Sequence, residues 1–374
     1  MTTQETIEKE WREKHWFPFI KENPTKPWCW ESLSKNENVT FNMIMDNPDL
    51  PWDPMCVSMN PNISLSIVND NPDYPWNYYI LSGNPGIDIS DLMNLPEEKR
   101  KLSTIEFPYD DDDIDISNIR VWYVRKFSEN PTLTIDFVKS NMNLDWSWDS
   151  ISANPGISCV DIEKNPELPW VWVAQGNLGI ISNPGLTNEF IIKYRHKWSN
   201  SIRMDIISSN PNIDIQTVMT LGVALCSWNW NNLSMNPGIH PEDMLSTIGK
   251  YGYYWQICYI AQNPNLTSEF INSHTDSIFW KWKNSQLSAN PSNNITEYLT
   301  SKYNVDTGYM NLINCPGLAN NTNLSWNERS SFHDKLKIMN PVGNSNTYYY
   351  EMLSKNTLSG WKEEFVKDYL NQSK

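Results

Sequence analysis

Histidine and cysteine are scarce in this chain, and neither is spaced for catalysis or metal binding. No two histidines have the His-x-x-x-His spacing of a helical metal site, and no two cysteines form a Cys-x-x-Cys pair. Glycine-rich phosphate loops and the Gly-x-Ser-x-Gly nucleophile motif are also absent. The histidines are His15, His196, His240, His274 and His333, and the cysteines are Cys29, Cys56, Cys159, Cys226, Cys258 and Cys315. We therefore expect a non-enzymatic protein without cofactor or metal, whose thiols are free and mostly buried in a reducing compartment.

Long apolar segments are missing too. The polar run after Met1 is unlike the apolar core of a secretory signal, and the longest weakly polar stretch, residues 217–226, is too short to span a bilayer. Basic residues are outnumbered, with 29 Lys and Arg against 44 Asp and Glu and a net charge of −15. This balance disfavours binding to phosphate backbones. We expect a protein that is not secreted, enters no membrane, binds no nucleic acid, and has protein partners with basic or neutral surfaces.

Proline and tryptophan, by contrast, are plentiful and fall in register. Asn-Pro dipeptides recur along the chain, each preceded by a tryptophan and followed by an aliphatic residue. The step is 24 residues between Trp28, Trp52 and Trp76, and a longer step separates Trp228, Trp255 and Trp282, which are again evenly spaced. The asparagines of these turns are Asn60, Asn84, Asn130, Asn154, Asn183, Asn210, Asn236, Asn263 and Asn290, with weaker echoes at Asn36, Cys315 and Asn340. Such self-similarity is typical of a tandem array of about a dozen units.

A helix is predicted to begin after each Asn-Pro turn. An apolar residue is followed by Ser, Thr or Asp, and then by a second apolar residue four places after that, as in a hydrophobic staple around an N-cap. The eight copies are Val39, Thr40, Ile44; Ile63, Ser64, Val68; Ile87, Asp88, Leu92; Leu133, Thr134, Val138; Ile157, Ser158, Ile162; Leu186, Thr187, Ile191; Ile213, Asp214, Val218; and Leu266, Thr267, Ile271. In a ninth copy His240 stands at the cap, but Pro241 suits the first helical position.

A second helix in each unit is predicted from proline and tryptophan. Proline suits a first helical turn, and an acidic residue just upstream favours the positive end of the helix. The prolines are Pro27, Pro51, Pro75 and Pro169, and the acidic residues are Asp49, Asp73 and Glu167. A second aromatic residue often follows the tryptophan by two places, at Trp30, Tyr78, Trp148, Trp172 and Trp230.

Helices of about two turns are not stable alone in water. We therefore expect the tryptophans and the staple residues to be buried between successive helix pairs, as in other stacked repeats. The longer step of the later repeats adds about one helical turn. We place that turn in the first helix, as between Thr187 and Trp198.

These patterns predict an all-α fold, an α-solenoid of a dozen or so short-helix hairpin repeats of roughly 24 to 27 residues with terminal capping helices. The predicted segments are an N-terminal capping helix (1–20), the shorter repeats (21–94), an insert with an acidic loop (95–120), repeats of both lengths (121–291), degenerate repeats (292–358) and a C-terminal capping helix (359–374). Carboxylates from Asp110 to Asp113 can attract Ca²⁺, but the spacing of an EF-hand loop is absent. A solvated loop is the favoured interpretation.

The assembled unit, N-P-D-x-P-W-x-W-x-x-[I/L]-S-x-N-P-[N/G]-I-[T/S]-x-x-x-[V/I], resembles the short Asn-Pro/Trp repeat proteins of mimivirus-type giant amoebal DNA viruses. The resemblance covers roughly residues 21–340 and is strongest at residues 24–92 and 145–172. It departs from the pattern in the longer units, where Ser227, Tyr254 and Lys281 replace the proline before the tryptophan. The resemblance implies a viral origin and a location in the cytoplasm of an infected host cell or in the virion. It supplies no catalytic residue.

The function we predict is a non-enzymatic scaffold for protein–protein interaction. Variable polar residues between the fixed positions, such as Glu31, Asn42, Ser66 and Asn77, are expected to contact the partner. One alternative is a structural component of a virus particle. A minor alternative is a carbohydrate-binding protein, in which the tryptophan series forms the binding platform.

Overall fold

The computed structural model describes residues 12–22, 28–98, 100–103, 120–174, 178–198, 204–222, 228–251 and 254–274, with single positions at 6, 9, 10, 287 and 290. These residues are mostly helical and form many short helices, which confirms the all-α class. The chain divides into two compact units, one formed by Met1–Asn38 with His240–Lys374 and the other by Val39–Ile239. The degenerate repeats and C-terminal capping helix predicted at 292–358 and 359–374 lie outside the described residues.

The helices are short, with five or six residues in most repeats. They are α1 (Phe17–Glu22), α2 (Trp30–Ser34), α3 (Phe41–Met45), α4 (Pro54–Ser58), α5 (Leu65–Asp70), α6 (Tyr78–Gly83), α7 (Ile89–Met93), α8 (Val124–Phe127), α9 (Ile135–Ser140), α10 (Trp148–Ala153), α11 (Cys159–Lys164), α12 (Asn188–Lys193), α13 (Met204–Ser209), α14 (Ile215–Leu221), α15 (Trp230–Met235), α16 (Pro241–Tyr251), α17 (Ile257–Ile260) and α18 (Ser268–Ser273). A π-helical turn (Arg12–Trp16) precedes α1, and 3₁₀ turns lie at Ile180–Ser182 and Arg195–Lys197. Helices α3 to α15 belong to the unit Val39–Ile239, and the others belong to the second unit.

The first helix of each repeat begins where the sequence predicts. The carboxylate of Asp214 accepts a hydrogen bond of 2.7 Å from the N–H of Thr217, and Ser158 forms a capping box with Asp161. All eight predicted caps accept a hydrogen bond from the first turn: Thr40, Ser64, Asp88, Thr134, Ser158, Thr187, Asp214 and Thr267. The sixteen flanking staple residues are all buried. Pro241 is the first residue of α16, as predicted.

The second helix begins later than predicted. Pro51 and Pro75 lie in non-helical residues ahead of α4 and α6, and residues 169–174, which begin with Pro169, form no helix. Pro27 lies outside the described residues. The N-cap is the residue after the tryptophan, because Asp53 accepts a hydrogen bond from the N–H of Cys56 at 2.7 Å. The tryptophan itself closes the preceding loop through its indole N–H, which donates to a carbonyl five residues earlier. These bonds run from Trp52 to Asn47, Trp76 to Asn71, Trp146 to Asn141 and Trp170 to Asn165.

The longer repeats gain residues at two different places. Helix α16 has 11 residues, so the predicted extra turn is present in that first helix. The prediction for Thr187 to Trp198 was wrong, because α12 has 6 residues. In that region the extra residues follow the tryptophan, since the stretch from Trp170 to Asn183 is longer than the equivalent stretch from Trp52 to Asn60.

A strand pair that the all-α prediction missed joins the insert to the repeat that follows it. Strand β1 (Leu102–Ser103) pairs in parallel with β2 (Trp122–Tyr123), immediately before α8. Two-residue strands carry no period-two pattern that a sequence can display. The acidic run from Asp110 to Asp113 lies outside the described residues.

Candidate interaction surface

Among the described residues, the asparagine of the Asn-Pro turn that closes each repeat, Asn60 and its equivalents, is buried and joins two successive repeats. Its Oδ1 accepts a hydrogen bond from the N–H two residues later, as between Asn84 and Gly86 at 2.7 Å. Its Nδ2 group donates to the preceding repeat, where Asn84 reaches the carbonyls of Ser58 and Asn60 at 2.7 and 2.9 Å. In the unit Val39–Ile239, asparagines that donate backwards in this way are Asn60, Asn84, Asn130, Asn154, Asn183, Asn210 and Asn236. The sequence predicted turn residues here, and it did not reveal this ladder.

A second set of buried side chains, the serines two places before these asparagines, links the same repeats. Ser58 Oγ donates to the carbonyl of Pro54 at 2.9 Å and accepts the N–H of Asn77 at 3.0 Å. The serines that accept from the next repeat are Ser58, Ser82, Ser128, Ser152 and Ser208. Each one satisfies a main-chain N–H at the start of the next repeat's second helix or of the segment in its place. These serine hydroxyls are therefore engaged in hydrogen bonds between neighbouring repeats.

Burial of the tryptophans is confirmed for most positions but not for all. Trp76 is 1% exposed, whereas Trp52 and Trp170 are less completely buried. Contacts between indole rings of successive repeats occur, because the centroids of Trp148 and Trp170 lie 5.6 Å apart in an edge-to-face arrangement. The buried tryptophans of the repeat register are Trp28, Trp76, Trp122, Trp146, Trp198, Trp228 and Trp255.

An aromatic cluster with cations on it joins two successive repeats, on either side of Asn183. Trp172 contacts Tyr194 and Trp198 at centroid distances of 5.0 and 5.6 Å, and the ammonium of Lys197 lies 5.1 Å from the Trp172 ring. A hydrogen bond to Glu163 raises the pKa of Lys193, which is fully exposed. These cations are already paired with rings or a carboxylate, so the cluster contributes to the contact between the two repeats.

The histidines and cysteines considered in the sequence form no cluster among the described residues. His196 and His240 are exposed, and His274 is half-buried. In the described ranges no group of three or more His, Cys, Asp or Glu side chains is placed to hold a metal ion. Cys29, Cys56, Cys159 and Cys258 form no disulfide and are half-buried, so the prediction of mostly buried thiols was wrong for these four. Within the same residues, no helix is both long and apolar enough to cross a bilayer.

The residue two places after each first-helix cap is exposed in most repeats. Asn42 and Ser66 occupy this position and both are exposed as predicted, and Glu31 is exposed on α2. The prediction for Asn77 was wrong, because this residue is 6% exposed and its side chain caps α6 at the N–H of Ile80. The residues at this position in the unit Val39–Ile239 are Asn42, Ser66, Ser90, Asp136, Val160, Glu189 and Gln216, and none of them is buried. Their side chains therefore reach solvent in a regular series.

Negative charge is concentrated in the first repeats of this unit. Between Lys35 and Lys99 the chain has ten Asp and Glu residues and no Lys, Arg or His. The ten are Glu37, Asp46, Asp49, Asp53, Asp70, Asp73, Asp88, Asp91, Glu97 and Glu98. Burial of the phenol, with a smaller contribution from the charge of Asp53, raises the pKa of Tyr74 to about 12. This segregation of charge is visible in the sequence, but the net charge of the whole chain conceals it.

Comparison with known proteins adds no relative to this picture. No family model, curated protein or solved structure matches the chain. Differences among the chain's own repeats therefore show which positions are fixed and which vary. The caps, staple residues, asparagines and serines recur because they make the contacts within and between repeats, whereas the first-helix position two places after the cap changes from Asn42 to Val160 to Glu189.

Proposed function

We propose that this chain is an α-solenoid that serves as a non-enzymatic scaffold for protein–protein interaction. The hydrogen bonds of the asparagine and serine ladders support this, because each joins a repeat to the one before it, for example Asn154 to Asn130 at 2.9 Å. Such nearest-neighbour bonding is the construction principle of repeat arrays. An array of this kind presents the same helix face many times over.

The observation that carries the interaction role is the solvent-facing position two residues after each cap. Its neighbours in the repeat are held constant by capping and burial, but the position itself carries amide, hydroxyl, carboxylate and aliphatic side chains. A surface whose backbone spacing is fixed and whose side chains vary is suited to recognising one particular protein. The buried tryptophans set the spacing, so most of them are not available as a carbohydrate platform.

The partner we infer is basic over the area that faces the first repeats. The ten carboxylates between Lys35 and Lys99 give these repeats a strong negative potential. Complementary charge accelerates association and excludes partners of the same sign. Because residues 21–340 resemble the viral Asn-Pro/Trp repeat proteins, we place this interaction in an infected cell. A structural role in the virus particle is the alternative, and the following experiment distinguishes the two.

A photo-crosslinking amino acid tests the proposal directly. It is placed singly at Asn42 and at Ser66, and at Asn143 as a control in an exposed loop. In cells in which the protein naturally occurs, we expect Asn42 and Ser66 to crosslink to one basic protein. The control position Asn143 should not give the same product. Equal crosslinking from all three positions, or none, would contradict the scaffold role. Recovery of the product with particles after a high-salt wash would favour the structural role.

A further inference from the structure

The repeat from Val39 to Asn60 exposes three methionines. Met45 is 49% exposed at the end of α3, and Met55 and Met59 are 51% and 38% exposed on α4 and at its C-cap. Residues four apart lie on the same face of a helix, so Met55 and Met59 form one apolar strip. The described part of the chain places no other repeat with more than one exposed methionine.

The three exposed methionines are a property of one repeat and not of the repeat design. The positions of Met55 and Met59 are occupied by Glu31 and Lys35 in the preceding repeat, and the position of Met45 is occupied by Asn69 in the following one. Stacking therefore does not require a methionine at any of the three positions. Exposed apolar side chains grouped in this way mark binding surfaces, and methionine adapts its shape to a partner.

Exposed carboxylates lie near the methionines in the sequence and at the equivalent positions of the next repeat. Asp46 and Asp49 follow α3, and Asp70 and Asp73 occupy the equivalent positions one repeat later; all four are exposed. Asp73 makes one exposed ion pair, 3.8 Å long, with Arg120. Exposed pairs of this kind contribute little, so Asp73 remains able to exchange its partner.

We propose that Met45, Met55 and Met59 form the docking site for a basic amphipathic helix of the partner protein. The apolar side of that helix covers the methionines, and its Lys or Arg side chains pair with Asp46, Asp49, Asp70 and Asp73. This inference rests on the proposed scaffold function and names the chemistry of the partner.

The negative charge of the first repeats selects this occupant among the alternatives. An anionic membrane surface and a nucleic acid are repelled by the ten carboxylates between Lys35 and Lys99. A second copy of the chain brings the same acidic stretch and is repelled in the same way. A basic segment without apolar side chains leaves the methionines exposed, so both features are required together.

A synthetic helical peptide serves as the probe, with Leu on one face and Lys on the other over about 18 residues. Its binding to the full chain is measured by fluorescence anisotropy, beside one peptide with Glu in place of Lys and another with Ala in place of Leu. The Leu/Lys peptide is expected to bind, the Glu peptide to show no binding, and the Ala peptide to bind at least about tenfold more weakly. Equal affinity for the Leu/Lys and Ala peptides would overturn the proposal.

Matched protein variants locate the site. The triple change Met45→Gln, Met55→Gln and Met59→Gln is expected to weaken binding roughly tenfold, with the helical circular dichroism unchanged. The control changes Met142→Gln and Met219→Gln, at residues that are also exposed, leave affinity as it was. Neutralising Asp46, Asp49, Asp70 and Asp73 as Asn lowers affinity and reduces its dependence on salt.

The proposed site would be contradicted if the triple methionine variant and the control pair lost the same amount of peptide affinity. It would also be contradicted if only the variant with the four Asp changes lost affinity. The scaffold function has a separate test, since crosslinking from Asn42 and Ser66 concerns the natural partner. Failure of the peptide with successful crosslinking would remove this docking site and leave the scaffold intact.

Discussion

The side-chain amide of Asn130 donates a hydrogen bond of 2.9 Å to the main-chain carbonyl of Asn84, 46 residues earlier in the chain. It also donates to the carbonyls of Ser82 and Ile87, at 3.2 and 3.0 Å. Between repeats of ordinary length the same bond spans 24 residues, as from Asn84 to Asn60. The repeats on either side of the insert are therefore hydrogen-bonded to each other in the same way as repeats that follow directly in the chain.

Replacing Asn130 with Ala should destabilise the protein strongly. The change leaves buried carbonyls of the preceding repeat and the N–H of Thr132 without their partner. Because unsatisfied buried groups are expensive, we expect a loss of about 3 kcal/mol in the free energy of unfolding, measured with urea. Asn143→Ala, at an exposed loop residue, should change stability by less than about 0.5 kcal/mol. Similar losses from the two variants would show that the ladder bonds contribute nothing specific.

Shortening the insert should leave the stack in place. Tyr123 donates its N–H to Ser82 Oγ at 2.9 Å, so the serine link also crosses the insert. A variant in which residues 104–119 are replaced by about eight residues of Gly-Ser linker should keep its melting temperature within about 3 °C of the native value. Differential scanning calorimetry provides the measurement. A large drop would mean that the replaced segment is part of the folded core.

Glycine is required where the turn of one repeat approaches the carbonyls of another. A Cβ added to Gly86 would lie 2.3 Å from the oxygen of Ile63 and 2.6 Å from that of Pro61. We expect Gly86→Ala to lower the free energy of unfolding by about 2 kcal/mol. Gly249→Ala, in α16 with no atom within 4 Å of the new Cβ, should raise it by about 0.5 kcal/mol. Urea titrations of both variants should move in opposite directions, and shifts of the same sign would refute the close-approach explanation.

Features determined by near neighbours in the chain were predicted correctly. The cap at Ser64 and the staple pair Ile63 and Val68 depend on contacts within five residues, and such offsets are visible in the sequence. The position of Pro51 was predicted wrongly because the indole N–H of Trp52 bonds to Asn47 and holds the intervening loop out of the helix. The sequence does not reveal this, because proline is compatible both with the first turn of a helix and with the loop that precedes it.

Features determined by contacts between repeats were missed. The partners of Asn84 lie 24 and 26 residues away, and spacing alone does not tell a turn asparagine from one that donates backwards. For the candidate site, the solvent-facing series at Asn42 and Ser66 follows from helix geometry and was predicted. Asn77 was misassigned because its role as a buried cap depends on where α6 begins.

Alkaline pH should destabilise the first repeats through Tyr74. Burial favours the neutral phenol and raises its pKa from 10.0 to about 12, with a smaller contribution from the charge of Asp53. The unfolded state therefore ionises first, so this contribution to stability is fully present below pH 10 and is lost as pH rises towards 12. Tyr74→Phe should flatten the fall in unfolding free energy across this range. The exposed Tyr254→Phe serves as the control, and an equal effect of both changes would contradict this assignment.

Excision of one complete repeat tests the central claim most directly, which is that successive repeats stabilise one another through the asparagine and serine ladders. Removal of residues 61–84 joins Asn60 to Pro85 and restores an Asn-Pro turn in register. The shortened protein should keep its helical circular dichroism per residue and unfold cooperatively in urea, with a slope reduced roughly in proportion to the surface removed. Removal of residues 61–72, half a repeat, should abolish that transition. If the complete-repeat excision also abolished cooperative unfolding, the chain would be a single interdependent core and not a stack of repeats.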